Sequence, residues 1–320
     1  MATHLMRYAQ GGRPRWGVVR GANIAPLEGA YPTTAALIER GEADWRAAAA
    51  RVPTLDVGEV TPLSPVTAPA RVICLGANYR QHMIESGLDP DAKRFNMFFE
   101  KSDASISAPV GSIVRPQHVR LLDYEIELAL VFRRAISSPV AVTGENLHEY
   151  VFGVTIANDV SARDVQLPET QFFKGKSYRG FCPLGPYLAV LEPGDVRRLE
   201  QLTLTLKVND GVRQRDSTAT LVYKPAETIT ELSTFSDLAP GDVLLTGTPA
   251  GCALRVPPRL MRSVMQLVFS EPQLWATFTR LQARRPEYLQ PGDVVRATIA
   301  SADATIDLGE QRHVVEGETA

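Results

Sequence analysis

Between Leu122 and Phe132 the chain reads LDYEIELALVF, alternating polar and apolar side chains through its first half and then running apolar without a break. In an extended segment residues two apart share a face, so Asp123, Glu125 and Glu127 fall on one side and Tyr124, Ile126 and Leu128 on the other. The run Leu128 to Phe132 predicts a strand covered on both faces. Short apolar runs of the same kind recur as WGVVRG, VICLG, FNMFFE, YVFGVTIANDV, LGPYLAVLEPGD, LTLTLKVNDG, GDVLLTGTPAG and PGDVVRATIASADATIDLG, separated by Gly, Pro and Asp. Helical spacing is rarer. It predicts one helix through TTAALIERGEADWRAAAA and a short one in NYRQHMIES, stopped by Gly87 ahead of Pro90. The fold class expected is mixed α/β and mainly β, a roll or sandwich with short helices rather than the strand and long-helix alternation of a Rossmann fold or barrel.

The polar, proline-containing stretch TPLSPVTAPAR separates the first strands and helix from VICLG. A small N-terminal domain or arm over 1–68 and a catalytic domain over 69–320 are therefore expected. Within the second, 259–284 breaks the strand pattern: Met261, Val264, Met265 and Val268, then Leu274, Trp275, Phe278 and Leu281, recur at helical spacing, with Pro272 dividing two helices. Such an insertion serves as a lid, as a dimer contact or simply as packing on the sheet.

Composition narrows the function classes. The 320 residues carry 34 basic and 36 acidic side chains, for a formal net charge of -2, which argues against a nucleic-acid surface. No apolar run is long enough to span a bilayer, and the N-terminus MATHLMRYAQGGRPRWG lacks a secretory apolar core. The three cysteines, Cys74, Cys182 and Cys252, are far apart and match neither a disulfide framework nor zinc spacing. A cytoplasmic protein with reduced thiols, no nucleic-acid partner and no membrane contact is expected.

Two glutamates entering an apolar strand would repel each other and lose hydration. The pattern admits two readings, a solvent-facing charged edge or a site for a hard cation such as Mg²⁺, which takes oxygen ligands at about 2.1 Å. A third carboxylate, Asp159, ends the strand YVFGVTIANDV; beside it Arg163 and Gln166 have the donors to grip a substrate carboxylate, unless Arg163 only pairs with Asp164. FFKGKSYRG presents Lys174 and Lys176. It is not a phosphate loop; either the lysine pair is solvated surface, or Lys176, the better candidate of the two, stabilises an enolate or carboxylate oxygen. Of the five histidines only His82 has a suggestive neighbour, Glu85, three residues on and adjacent if the turn is helical. That pair is either an exposed helix contact or a general base. Thr248 in GTPAG offers a hydroxyl to a carboxylate, and Asn78 and Tyr79 are weaker pointers.

Taken in order, GANYRQHMIE, DYEIELALV, NDVSARDVQ, GKSYRGFCPLGP and GDVLLTGTPAG resemble the fumarylacetoacetate hydrolase family, in particular its shorter members that act on 2-oxo acids and acylpyruvates. The resemblance spans about residues 70–255 plus the PGDVV strand. It implies that Glu125, Glu127 and Asp159 bind Mg²⁺ or Mn²⁺, that His82 and Glu85 form a catalytic dyad, and that Lys176 approaches the substrate oxygens. It also implies substrate contacts from Arg163, Gln166 and Thr248, a β-roll fold and a homodimer. The chain departs from the family pattern at Arg179 and Gly180 after GKSY, where Arg179 either suits a more acidic or larger substrate or simply faces solvent; Tyr79 and Arg179 are the further substrate-side candidates. The departure continues after Gly251 and in the 259–284 insertion. The expected reaction is hydrolytic C–C cleavage of an acylpyruvate-like 1,3-dicarbonyl 2-oxo acid, such as fumarylpyruvate. His82, assisted by Glu85, would activate water, and Lys176 would help stabilise the departing enolate. Oxaloacetate-type decarboxylation, isomerisation or hydration of 2-hydroxydienoates, and a non-catalytic metal-containing binding module are the alternatives.

Overall fold

The computed structural model describes residues 2–255 and 270–319. Their backbone is organised around an 11-stranded mixed sheet and a 5-stranded sheet. Along the large sheet the order runs Leu55–Asp56, Asn23–Pro26, Arg13–Arg20, His4–Gln10, Tyr187–Val190, Val151–Asn158, Ile126–Phe132, Val243–Leu245, Val72–Gly76, Met97–Lys101, with Thr61–Leu63 paired to His4–Gln10. All but one of these pairings are antiparallel, the exception being Val243–Leu245 on Val72–Gly76. The small sheet joins Gly211–Ser217, Thr203–Val208, Val294–Ala300, Asp307–Gly317 and Val110–Arg115. This is the mixed, strand-rich architecture the apolar runs predict, and it does not close into a barrel.

The two central strands, Ile126–Phe132 and Val151–Asn158, are buried at every position. Their lack of alternation has a direct cause, because both faces are covered. Ile126, Leu128, Leu130 and Phe132 pack into one core with Leu204, Leu206, Ala297 and Ile299 of the small sheet. Ala129 and Val131, on the opposite face, pack with Trp16, Leu37 and Trp45 from the N-terminal region. Residues 2–63 thus extend the large sheet through the pairing of His4–Gln10 with Tyr187–Val190 and share its second core.

Three local expectations change. The helix anticipated through 33–50 is two, Thr34–Arg40 and Glu42–Ala50, meeting at Gly41. In the insertion, Glu271–Gln282 is a helix with Pro272 in its first turn, where a missing N–H costs nothing. Phe278 lies against the first core and Trp275 meets it edge-on at 5.9 Å; the helix expected before Pro272 lies outside the described residues. The most consequential change concerns the carboxylate strand, which is not continuous. Leu122–Asp123 pairs with Ser161–Ala162 and Ile126–Phe132 with Val151–Asn158, leaving Tyr124 and Glu125 between them outside either ladder. Side chains satisfy the backbone across the gap: the Glu125 N–H donates to Asn158 Oδ1 at 3.0 Å and the Ile126 N–H to Gln214 Oε1 at 3.0 Å.

Candidate active site

That gap separates the fates of the three acidic residues of the strand. Glu125 and Glu127 turn into a pocket where they meet Asp159, from the end of Val151–Asn158, and all three are buried with ligand oxygens within 4.8 Å of one another. Asp123 does not join them. Its carboxylate accepts the Tyr124, Ala253 and Leu254 N–H groups at 2.9, 2.8 and 3.0 Å and Arg163 Nε at 2.8 Å. The expectation that Asp123 shares the cluster's face is therefore corrected: Asp123 is fully committed to the loop at 253–254 and to Arg163.

Three buried cations, Lys101, Arg163 and Lys176, surround four buried carboxylates. Lys176 Nζ donates to Glu125 Oε2 and to Asp159 Oδ2, both at 2.6 Å. Arg163 bonds Glu125 as well as Asp123, and Lys101 bonds Asp159. Glu127 has no cationic partner among the described residues, only the Gly247 N–H at 2.7 Å. Burial opposes the charge on Glu125, but Arg163 and Lys176 outweigh it and hold its carboxyl down at about 2. For Glu127, burial pushes its carboxyl well above the usual carboxylate range and Asp159 and Glu125 add to the effect. Lys176 is also penalised by burial, yet Asp159 and Glu125 keep it raised and charged. A set of three converging oxygen donors with one uncompensated carboxylate fits a hard divalent cation, which would relieve the repulsion at Glu127.

The local backbone explains why these groups converge. Gly247 has a φ of +90°, and a Cβ there would stand 2.9 Å from Asn78 Cβ, so only glycine brings its N–H to Glu127. Lys176 closes the short helix Phe172–Lys176, packed so near Arg163–Gln166 that a Cβ on Gly175 would lie 2.7 Å from the Gln166 nitrogen.

A cavity of about 200 Å³ opens over the cluster. Its polar lining includes Glu125, Glu127, Lys176, Arg163, Gln166, His82 and Thr248, while Leu75, Met97, Phe99 and Phe172 contribute apolar wall. His82, in the helix Arg80–Glu85, is half-buried there; burial lowers its pKa, with Glu125 opposing, and its ring makes no hydrogen bond among the described residues. Glu85 does not line the cavity, and its carboxylate meets Arg255 Nη1 at 2.8 Å rather than His82. Gln166 accepts from Arg163 Nη1 at 2.9 Å, which leaves its Nε2 protons for a ligand. The Thr248 hydroxyl donates to the Ile126 carbonyl at 3.0 Å and accepts from Gln214 Nε2 at 2.8 Å, so its proton is spent within the protein. Neither Tyr79, whose ring is wholly buried in the first core, nor the exposed Arg179 lines the cavity. Asn78 is consumed by the backbone of Tyr223 and Thr246. Lys174 is exposed and paired with Glu169, and Asp164 accepts from the Arg120 N–H instead of pairing with Arg163.

Sequence reasoning missed two residues. Lys101 is buried beneath Asp159, and Gln214 reaches from the small sheet to fasten Ile126, Thr248 and Pro249. The available signal for each was a single long polar side chain, Lys101 just after the strand-like run FNMFFE and Gln214 within GVRQRDS, a stretch with no apolar run to mark it.

Residues 71–316 match the family described as fumarylacetoacetate (FAA) hydrolase C-terminal. The chain belongs to this family. Residues 3–65 match a second one, Rv2993c-like, N-terminal. A human mitochondrial protein named oxaloacetate tautomerase FAHD2A is 38% identical over 248 residues, 75% of this chain and 77% of the human one. Among solved structures, a probable 2-hydroxyhepta-2,4-diene-1,7-dioate isomerase from Mycobacterium abscessus superposes with a TM-score of 0.73 at 30% identity, covering 100% of both chains. Maleylpyruvate hydrolase from Sphingobium sp. SYK-6, solved with manganese(II) and pyruvate, shares the fold with a TM-score of 0.71 at 24% identity, covering 99% of this chain and 100% of its own. The chain is thus an enzyme of the fumarylacetoacetate hydrolase family. No helix among the described residues is long and apolar enough to cross a membrane.

Proposed function

We propose that this enzyme interconverts the keto and enol forms of a short 2-oxo acid of the oxaloacetate type, with Mg²⁺ or Mn²⁺ at Glu125, Glu127 and Asp159. The observation that carries the reaction is the separation of His82 from Glu85. His82 faces the carboxylate cavity as a half-buried imidazole with no hydrogen-bond partner among the described residues, whereas Glu85 is tied to Arg255. Tautomerisation requires one proton carrier and no dyad to activate water, and a His82 separated from Glu85 supports that reading. The name of the human relative, and the manganese and pyruvate held by the solved maleylpyruvate hydrolase, support the substrate class and the ion.

Bound at the three carboxylates, the cation would supply Lewis-acid stabilisation of negative charge on the substrate oxygens. The chain's own residues do the rest. Gln166 Nε2, oriented by its bond to Arg163, donates to the substrate carboxylate. Lys176 places a positive charge beside the C2 oxygen, where charge grows as the enol loses its proton. His82 carries a proton to or from C3. From enol to keto, neutral His82 takes the enol O–H proton and delivers it to C3, forming the C3–H bond; the reverse transfer runs from keto to enol, and no bond between heavy atoms breaks.

Hydrolysis of an acylpyruvate is the second reading, favoured by the position of Glu85 one helical turn from His82 and by the partial exposure of its ion pair, 29% for Glu85 and 43% for Arg255. Metal-free and Mg²⁺- or Mn²⁺-reconstituted protein incubated with oxaloacetate, acetylpyruvate and fumarylpyruvate separates the readings. Accelerated loss of the enol absorbance of oxaloacetate without fragments or carbon dioxide supports tautomerisation. Acid fragments would establish the hydrolase, and carbon dioxide release a decarboxylase.

A further inference from the structure

Two lysines converge on Asp159, and they are not equivalent. Lys176 Nζ makes two bonds, to Glu125 Oε2 and Asp159 Oδ2, and it lines the cavity. Lys101 approaches from the other side. Its side chain is wholly buried, it is absent from the cavity lining, and its ammonium donates to Asp159 Oδ1, to the Phe181 carbonyl at 2.8 Å and to the Val160 carbonyl at 3.3 Å. An ammonium has three protons, so three acceptors saturate it. The acceptors belong to the loop that follows Val151–Asn158 and to the residue before the short strand Cys182–Pro183, while Lys101 itself ends the edge strand Met97–Lys101. No turn of the side chain reaches the substrate without abandoning all three.

We propose that Lys101 is the positioning residue of the cation site: it clamps Asp159 through Oδ1, so that Oδ2 faces Glu125 and Glu127. The division of labour follows from the geometry. Lys176 is free to turn to a substrate oxygen because Asp159 keeps Lys101 as a permanent counter-charge when Lys176 leaves. A buried carboxylate deprived of every partner costs several kcal/mol, which would otherwise oppose that movement. The inference rests on reading Glu125, Glu127 and Asp159 as the cation site, and is independent of the reaction assigned to it.

The test measures Mn²⁺ affinity by electron paramagnetic resonance on full-length Lys101→Met, Lys101→Arg and Lys176→Met, at a temperature well below the melting midpoint of each. Loss of a partner that orients a ligand weakens metal binding by about 10–100-fold, so Lys101→Met is expected to raise the Mn²⁺ Kd by about fivefold or more. Lys176→Met removes a cation from the same cluster without freeing Asp159 Oδ1, and its Kd is expected to stay level or fall. The contrast distinguishes clamping from mere charge balance: if Lys101 were only a counter-charge, deleting it would leave Mn²⁺ binding level or tighten it, as is expected on deleting Lys176. A rise of less than fivefold in Lys101→Met overturns the proposal. Should that variant not fold, Lys101→Arg decides, because a guanidinium keeps the charge but cannot reproduce the three-acceptor seat; the same fivefold threshold applies. A wild-type protein that binds Mn²⁺ yet turns over no 2-oxo acid would sink the proposed reaction and leave this inference standing. Failure of the wild type to bind Mn²⁺ would sink both.

Discussion

Asp123→Asn isolates the distinction between an acidic residue that shapes the site and one that belongs to it. Asp123 accepts four bonds: Oδ1 takes the Tyr124 and Ala253 N–H groups, and Oδ2 takes Leu254 N–H and Arg163 Nε. Replacing either oxygen with an amide leaves two donors facing a third donor, in whichever orientation the side chain settles. Each buried donor without an acceptor costs about 1–3 kcal/mol, and removing one partner of a buried ion pair costs about 3–5 kcal/mol. The two descriptions overlap in Arg163, so a total near 3–5 kcal/mol is expected. At roughly 2 °C per kcal/mol for a chain of this size, the thermal midpoint should fall by at least about 6 °C, followed by circular dichroism. Mn²⁺ affinity, in contrast, should change by less than about tenfold, since the three cluster carboxylates remain; Glu127→Gln should lose it. Asp123→Asn melting at the wild-type temperature, or losing Mn²⁺ as completely as Glu127→Gln, would refute the assignment of Asp123 to the framework.

His82→Ala should lower turnover by about 10²–10⁴-fold while Mn²⁺ affinity stays within threefold, and a loss of both would place His82 at the ion rather than at the substrate. Because burial lowers the His82 pKa from 6.5, its neutral, proton-accepting form persists below that pH, and protonation removes it only as the solution becomes more acidic. The acid limb of kcat/KM for the direction in which His82 accepts a proton should therefore lie below pH 6.5; a limb above 7 would contradict the burial argument. Gln214→Leu strips Ile126 N–H and Thr248 of their partner, and should cost about 1–3 kcal/mol in denaturant unfolding. No change in midpoint would show the loop to be held by other means. Lys176→Met should destabilise the metal-free protein by about 3–5 kcal/mol and gain more in melting temperature from Mn²⁺ than the wild type does; equal gains would show that Lys176 does not compensate Glu125 and Asp159.

Much of this protein is determined locally. The apolar runs of Ile126–Phe132 and Val151–Asn158 require cover on both faces wherever they fold, so a layered, strand-rich architecture follows from them. Glu125 and Glu127 belong together because a two-residue repeat binds them to one side of the same segment. Asp159 was legible as a polar residue at the end of an apolar strand, and family resemblance joined it to the pair. Other features depend on separations that no local pattern encodes. Lys101 meets Asp159 across 58 positions and Gln214 meets Ile126 across 88. Asp123 follows the same alternation as its neighbours, yet the break at Tyr124 and Glu125 hands it to Arg163 and the loop at 253–254 instead. Glu85 has the right spacing to meet His82 but is taken by Arg255, 170 positions away. Sequence periodicity specifies which side chains leave the backbone in a common direction. Which of them share an oxygen is settled only when the sheets pack, because burial forces every charge to find a partner and the nearest one is set by tertiary contact.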